Sequence, residues 1–109
     1  MINISWIGRD SKEKKLIDFL KSINLLKGKK IQINIVTNNN IKKKVENIVS
    51  KDILKKIKLY KFNKNKSFLN KIYSKTDIYV NTSIYEGFPN TIVEAIIFEC
   101  LVINLENLL

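Results

Sequence analysis

The sequence predicts an α/β domain in which about five strands form a mostly parallel sheet with helices on both faces. Short apolar or alternating runs recur at 2–7, 31–36, 57–62, 78–81 and 101–105, and helical patterns fill the intervals between them. Strand and helix alternating at this spacing build successive crossover units, which lay neighbouring strands parallel. No Pro-, Gly- or Ser-rich linker and no repeat divides the 109 residues, so 1–109 reads as one domain.

Ile2-Asn3-Ile4-Ser5-Trp6-Ile7 alternates as a strand does, and it lacks the basic lead and the length of a secretory signal. In the first helix Leu16, Phe19, Leu20 and Ile23 fall three and four residues apart and share one face. After the second strand, Thr37-Asn38-Asn39-Asn40 reads as a loop. A weaker helical pattern covers 41–53, and a third near 68–74 carries Phe68, Leu69 and Ile72. The fourth helix, 90–98, is apolar nearly all round and is expected to be buried on most sides.

A hydrophobic fraction of 45% with 28% charged residues supports a packed core and argues against disorder. The net charge of +10 raises a nucleic-acid reading, but nineteen of the twenty basic residues are Lys, in a chain also inflated in Ile and Asn. The runs 27–30, 42–44 and 55–58 lack the interleaved aromatics of a base-stacking surface. A solvated surface enriched by codon bias accounts for them, and no specific nucleic-acid partner is expected. The charge does suit peripheral contact with anionic lipid at the inner face of a membrane.

Cys100 is the sole cysteine, which excludes an internal disulfide and points to a reducing, cytoplasmic setting. With no histidine, neither a Ser-His-Asp triad nor an ordinary zinc site can be built. The most apolar stretch, 91–105, is interrupted by Glu94, Glu99 and Asn104 and falls short of the roughly 20 residues that span a bilayer.

In open parallel sheets, ligands lie beyond the carboxyl ends of the strands. Two loops there carry chemistry. The first, Gly8-Arg9-Asp10-Ser11-Lys12-Glu13-Lys14, holds the only arginine. Its planar fork grips two phosphate oxygens at once, and Lys14 adds a mobile charge beside helix-terminal amides. Together they suit a diphosphate; the competing reading pairs Arg9 with Asp10 or another surface carboxylate.

The second loop, Ser83-Ile84-Tyr85-Glu86-Gly87-Phe88-Pro89, runs into the fourth helix. Gly87 permits backbone angles closed to other residues, and Pro89 presets the angle that opens a helix. The free amides of Gly87, Phe88, Asn90 and Thr91 then form an anion-binding array. An ordinary turn with Asn90 as N-cap explains the Gly, Pro and Asn but not the glutamates. Glu94, on an apolar helix, is expected to face a cleft or a ligand hydroxyl, because an unpaired buried carboxylate is costly. Partnership with the helix dipole is its alternative. Glu86 lies across the amide array from Glu94, so two carboxylates bracket a phosphate site, the layout of a sugar nucleotide. Spacing alone assigns neither as general acid or base.

The block Glu86-Gly87-Phe88-Pro89-Asn90-Thr91-Ile92-Val93-Glu94-Ala95 resembles the Glu, seven residues, Glu pattern in the C-terminal domain of GT-B type retaining glycosyltransferases, the glycosyl transferases group 1. Gly8-Arg9 with Lys14 is similar to that family's first loop, and Tyr73 and Asp77 fall where the family has a tyrosine before the fourth strand and an aspartate at its start. The resemblance covers nearly the whole chain, and the Glu86 to Ala95 block is its most specific part. It implies a Rossmann-like sheet, the donor-binding half of a GT-B fold, incomplete at its C-terminus and without the N-terminal acceptor domain.

By the same resemblance, Glu86, with Ser83 beside it, contacts donor-sugar hydroxyls, and the amides of Gly87, Phe88, Asn90 and Thr91 hold sugar and phosphate. Glu94 accepts hydrogen bonds from the ribose, and Arg9 with Lys14 neutralises the leaving diphosphate. Arg9, Lys14 and Glu86 form the implied catalytic set, with no metal or other cofactor. The implied partners are a nucleoside diphosphate sugar, a glycan or lipid-linked acceptor, and an N-terminal acceptor domain on another chain, in cell-surface polysaccharide or lipopolysaccharide synthesis. The chain departs from the family at Thr37-Asn38-Asn39, where a Gly-rich turn is usual, at Lys61, which replaces a glycine, and at Glu99-Cys100-Leu101, in place of a Gly, a residue and a Pro. Two other classes stay open on the residues alone: a basic module for nucleic acid or anionic membrane, and an inactive remnant of a glycosyltransferase gene.

Overall fold

Five strands, β1 (Ile2–Ile7), β2 (Ile31–Thr37), β3 (Ile57–Lys61), β4 (Ile78–Asn81) and β5 (Leu101–Asn104), form one sheet in the order β3-β2-β1-β4-β5. Every adjacent pair is parallel. The helices are α1 (Leu16–Ile23), α2 (Lys42–Ile48), α3 (Lys51–Leu54), α4 (Lys66–Lys75) and α5 (Asn90–Ile97), with a 3₁₀ turn at Asn24–Leu26. This computed structural model describes residues 1–10, 15–63, 65–82 and 90–104. The α/β class, the five strands and the parallel sense expected from the sequence are all present.

Alternation along each strand divides the core in two. On one face Ile4 and Trp6 of β1 and Ile31, Ile33 and Ile35 of β2 pack beneath Leu16, Phe19, Leu20 and Ile23 of α1, with Val45 of α2 and Ile53 of α3 alongside. The Trp6 and Phe19 rings stack with centroids 6.1 Å apart. On the other face Ile7, Val36 and Tyr79 pack against Ile72 and Tyr73 of α4 and Ile92 and Ala95 of α5. Helices α1 to α3 therefore cover one side and α4 and α5 the other, the arrangement a parallel sheet needs.

The second face contains a buried polar chain. Thr76, just past α4, donates its hydroxyl to the Ile72 carbonyl at 2.6 Å, so the 2.6 Å contact between Ser5 and Thr76 has Ser5 as donor. Asn34 Nδ2 in turn donates to Ser5 Oγ at 3.3 Å. The chain ties the end of α4 to β1 and β2, and each link is buried, so its loss leaves a buried group unpaired.

Three local features depart from the sequence reading. The helix expected over 41–53 is two helices: Val49 is extended (ψ 155°), and Ser50 starts α3 by accepting the Ile53 amide on its side chain at 3.3 Å. A serine in that position competes with the helix for its own backbone bonds and restarts it instead. Helix α5 is not buried on most sides; Ile92 and Ala95 face the core while Val93, Ile96 and Ile97 are 41%, 54% and 69% exposed. At its end Glu99 adopts φ 62°, the left-handed angle of a C-terminal cap. The Glu99 and Cys100 amides bond back to the Ile96 and Ala95 carbonyls at 2.9 Å each. The glycine of the family pattern is thus explained by backbone geometry that this chain imposes on a glutamate.

Urea unfolding followed through Trp6, the only tryptophan, checks these accounts. Glu99→Gly should raise stability by about 1 kcal/mol by relieving the left-handed angle. Ser5→Ala should lower it by about 1–3 kcal/mol, since Asn34 and Thr76 lose their shared partner. No change in either variant would contradict the assigned geometry.

Candidate functional site

The strand order places β1 and β4 side by side at the centre, with Ile4 opposite Ile78 and Ser5 opposite Tyr79. From β1 the chain crosses through α1 to β2 on one flank, and from β4 it crosses through α5 to β5 on the other. The connections diverge to opposite faces, which opens a crevice at the carboxyl ends of β1 and β4. Both loops singled out in the sequence leave from this point. Chain segments far apart in sequence are brought together there: Trp6 Nε1 donates to Thr82 Oγ1 at 2.9 Å across 76 residues, and the Tyr79 hydroxyl donates to the Ile7 carbonyl at 3.3 Å. These buried bonds tie the carboxyl ends of β1 and β4 to each other.

On the β1 side the Gly8 amide continues the ladder by donating to the Val36 carbonyl at 3.0 Å. Arg9 follows, exposed, and among the described residues it has no hydrogen-bond or ion-pair partner. The rival pairing of Arg9 with Asp10 does not occur. Asp10 is held by Lys44 of α2, whose Nζ lies 2.8 and 2.6 Å from its two carboxylate oxygens. That pairing takes Asp10 away from the Arg9 guanidinium. Lys14 lies outside the described residues.

On the β4 side Ser83, Glu86, Gly87 and Phe88 also lie outside the described residues. Asn90 and Thr91 form the first turn of α5, whose backbone amides open toward the crevice end of the sheet. Glu94 is half-buried, and Tyr73 of α4 donates its hydroxyl to Glu94 Oε1 at 3.5 Å. The glutamate therefore has a protein partner as well as solvent access, so it is not the unpaired buried carboxylate whose cost led the sequence reading to expect a cleft or a ligand hydroxyl.

Tyr73 was legible as a position but not as a tether, because the α4 to α5 contact that delivers it to Glu94 has no sequence signal. The ring is fully buried between Tyr79 and Phe98, with centroids 6.2 and 5.7 Å away. Burial, reinforced by Tyr79 and Glu94, pushes its hydroxyl pKa well above the ordinary value. Further along the same sheet edge, the ends of β2 and β3 enclose a cavity of about 310 Å³ lined by Thr37, Asn38, Asn39, Asn40, Ile41, Leu59, Tyr60 and Lys61. The loop read only as a turn thus borders a recess. Among the described residues no three Cys, Asp or Glu side chains converge on a common point, and no helix is long and apolar enough to cross a membrane.

The direction of the Tyr73 shift has a consequence for stability. Above the ordinary tyrosine pKa of about 10, the unfolded chain releases a proton that the folded chain retains, so stability falls as pH rises. Chemical denaturation between pH 8 and 11, values chosen to bracket that pKa of about 10, should show this loss, and Tyr73→Phe should flatten it. An unaltered slope in Tyr73→Phe would contradict a buried, raised hydroxyl.

A family model for glycosyl transferases group 1 matches residues 2–107. No curated protein matches the sequence significantly. Among solved structures, the chain is similar to the C-terminal domain of the group 1 glycosyl transferase LpcC from Francisella tularensis, with 26% identity and a TM-score of 0.78 over 94% of this chain and 57% of that one. A glycosyltransferase from Rickettsia africae gives 22% identity and a TM-score of 0.78 over 95% of this chain and 28% of its own. Anabaena HepE, solved in complex with UDP and glucose, gives 18% and 0.73 over 93% and 28%. The last two are likenesses of fold, and this chain spans little more than half of the Francisella domain. Matched to the family model over nearly its whole length, and folded as the five-stranded parallel sheet of a GT-B C-terminal domain, the chain belongs to the glycosyl transferases group 1 family.

Proposed function

We propose that this chain is the donor-binding part of a retaining glycosyltransferase, holding a nucleoside diphosphate sugar at the β1–β4 crevice for transfer to an acceptor hydroxyl. One observation carries the reading. Arg9, exposed and unpaired among the described residues, shares the carboxyl edge of two adjacent parallel strands with the start of α5 and its Glu94. A bidentate cation facing helix-terminal amides suits a diphosphate, and a carboxylate nearby suits hydroxyls.

In this reading Arg9 and Lys14 neutralise the diphosphate as it leaves. Glu86, with Ser83 beside it, orients the sugar through its hydroxyls, and the amides of Gly87, Phe88, Asn90 and Thr91 take the sugar and phosphate oxygens. Glu94, steadied by Tyr73, receives the ribose hydroxyls, and the recess between β2 and β3 takes the nucleoside end. The acceptor oxygen bonds to the anomeric carbon on the face from which the diphosphate departs, as that bond breaks; the electron pair leaves with the phosphate, whose oxygen takes the proton of the acceptor hydroxyl. Stabilising that developing charge is electrostatic work that fixed cations and amides perform without a metal. A glycan or lipid-linked acceptor is presented by a separate domain, and the cytoplasm, at the inner face of the membrane, is the setting for building cell-surface polysaccharide or lipopolysaccharide.

Thermal melting with a millimolar panel of nucleoside diphosphate sugars tests the proposal. At least one donor should raise the midpoint, since a ligand that binds only the folded state stabilises it. Arg9→Ala and Glu94→Ala should each weaken that donor by about tenfold or more, the scale of one charge-assisted hydrogen bond. A panel without any shift, or a shift indifferent to both substitutions, would sink the reading.

A further inference from the structure

Among the described residues, the ion pair between Lys44 and Asp10 differs in kind from the other two. Lys15 meets Asp18 at 3.8 Å and Lys56 meets Asp52 at 3.6 Å, single contacts between residues three and four apart in sequence. Exposed local pairs of that sort hold little. Lys44 Nζ instead lies 2.8 and 2.6 Å from the two carboxylate oxygens of Asp10, across 34 residues. The Asp10 side chain is 17% exposed and that of Lys44 34%, so the pair is partly withdrawn from solvent.

The lysine is carried on a fixed element. Ile41 and Val45 flank it and are buried in the core beneath α1, and the Val45 amide bonds to the Ile41 carbonyl at 2.9 Å. Core packing, and not the pair itself, sets where Lys44 stands. Asn38 to Ile41, which lead into α2, line the β2–β3 recess, so the pair ties the wall of that recess to the β1 loop. Arg9 immediately precedes Asp10 and has no partner among the described residues. The planar fork that grips a phosphate grips a carboxylate in the same way, so the two anions compete for it. Without Lys44, Asp10 is a partly buried carboxylate that has lost its partner, a costly state that pairing with Arg9 relieves.

We propose that Lys44 is a positioning residue for donor binding: by engaging both oxygens of Asp10 it keeps that carboxylate off Arg9 and leaves the guanidinium to the donor diphosphate. The proposal rests on the donor reading of Arg9 and adds to it a residue of α2, outside both loops that carry the site.

Arg9 is the only arginine, so its Nε–H gives a single assignable NMR signal in the isotope-labelled chain. Inorganic pyrophosphate, a diphosphate without nucleoside or sugar, is the probe. In the wild-type chain the signal should move saturably on titration. Lys44→Met should displace it before any pyrophosphate is added, as Asp10 takes the guanidinium. The same variant should weaken the probe by about tenfold or more, the scale of one charge-assisted hydrogen bond. Asp10→Asn in the Lys44→Met background should return both readings toward wild type, and Lys44→Arg should leave them near it. That restoration separates positioning from direct contact between Lys44 and phosphate, which Asp10→Asn cannot repair. Asp10→Asn alone removes the competitor and should retain full binding; a loss equal to that of Lys44→Met would mean that the pair only holds the loop, and overturns the proposal. So does a weakened probe that Asp10→Asn does not restore. A wild-type signal that responds to pyrophosphate while Lys44→Met changes nothing fails this proposal alone. A wild-type signal that ignores pyrophosphate while Lys44→Met displaces it fails the donor reading and leaves the exchange of partners standing.

Discussion

The parallel pairing of β1 with β4 is the contact on which the other functional features depend. These strands are separated by three crossovers, yet they must meet for the chain to reverse direction across the sheet. Their meeting sends α1 and α5 to opposite faces and leaves the crevice between them. Two buried hydrogen bonds, from Trp6 to Thr82 and from Tyr79 to Ile7, span the seam just below the crevice. Each joins one strand to the end of the other, so the bases of both loops are held by the same few side chains that close the core.

The two cores divide the work on either side of that seam. Beneath α1, an isoleucine-rich surface with Trp6 and Phe19 supplies apolar burial and little else. Beneath α4 and α5, aromatic rings are mixed with hydroxyls and an amide, and it is from this side that Tyr73 reaches Glu94. Polar groups there are largely threaded into a chain of donors and acceptors, with Asn34 Oδ1 left as a buried acceptor without a hydrogen bond. The lysines that dominate the composition take little part; Lys44 is an exception, since its hold on Asp10 keeps that carboxylate from Arg9.

Hydrophobic periodicity made the strands and α1 legible in the sequence, because one buried face per element is a constraint that every third or second residue must meet. It could not show the break at Ser50, where a side chain caps a new helix, nor the left-handed angle at Glu99, where no glycine marks the turn. The apolar content of α5 was misread as burial. Val93, Ile96 and Ile97 are as hydrophobic as core residues and nonetheless exposed, a state that depends on what lies beside the helix and not on its own sequence. Of the site, Arg9 and Glu94 were legible as chemistry, while Tyr73's tether, Lys44's claim on Asp10 and the recess at Asn38 to Asn40 arise only when distant segments meet.

The central claim is one of place: an activated sugar binds where β1 and β4 end. Two-dimensional amide NMR of the isotope-labelled chain, titrated with a nucleoside diphosphate sugar and separately with single-stranded RNA, tests it most directly. The account predicts saturable shifts from the sugar nucleotide centred on Gly8, Arg9 and the first turns of α5, with RNA producing only weak, salt-sensitive shifts spread over the lysines. Shifts from RNA that saturate at a localised lysine surface, with the Gly8 and α5 amides unmoved by the sugar nucleotide, would contradict it.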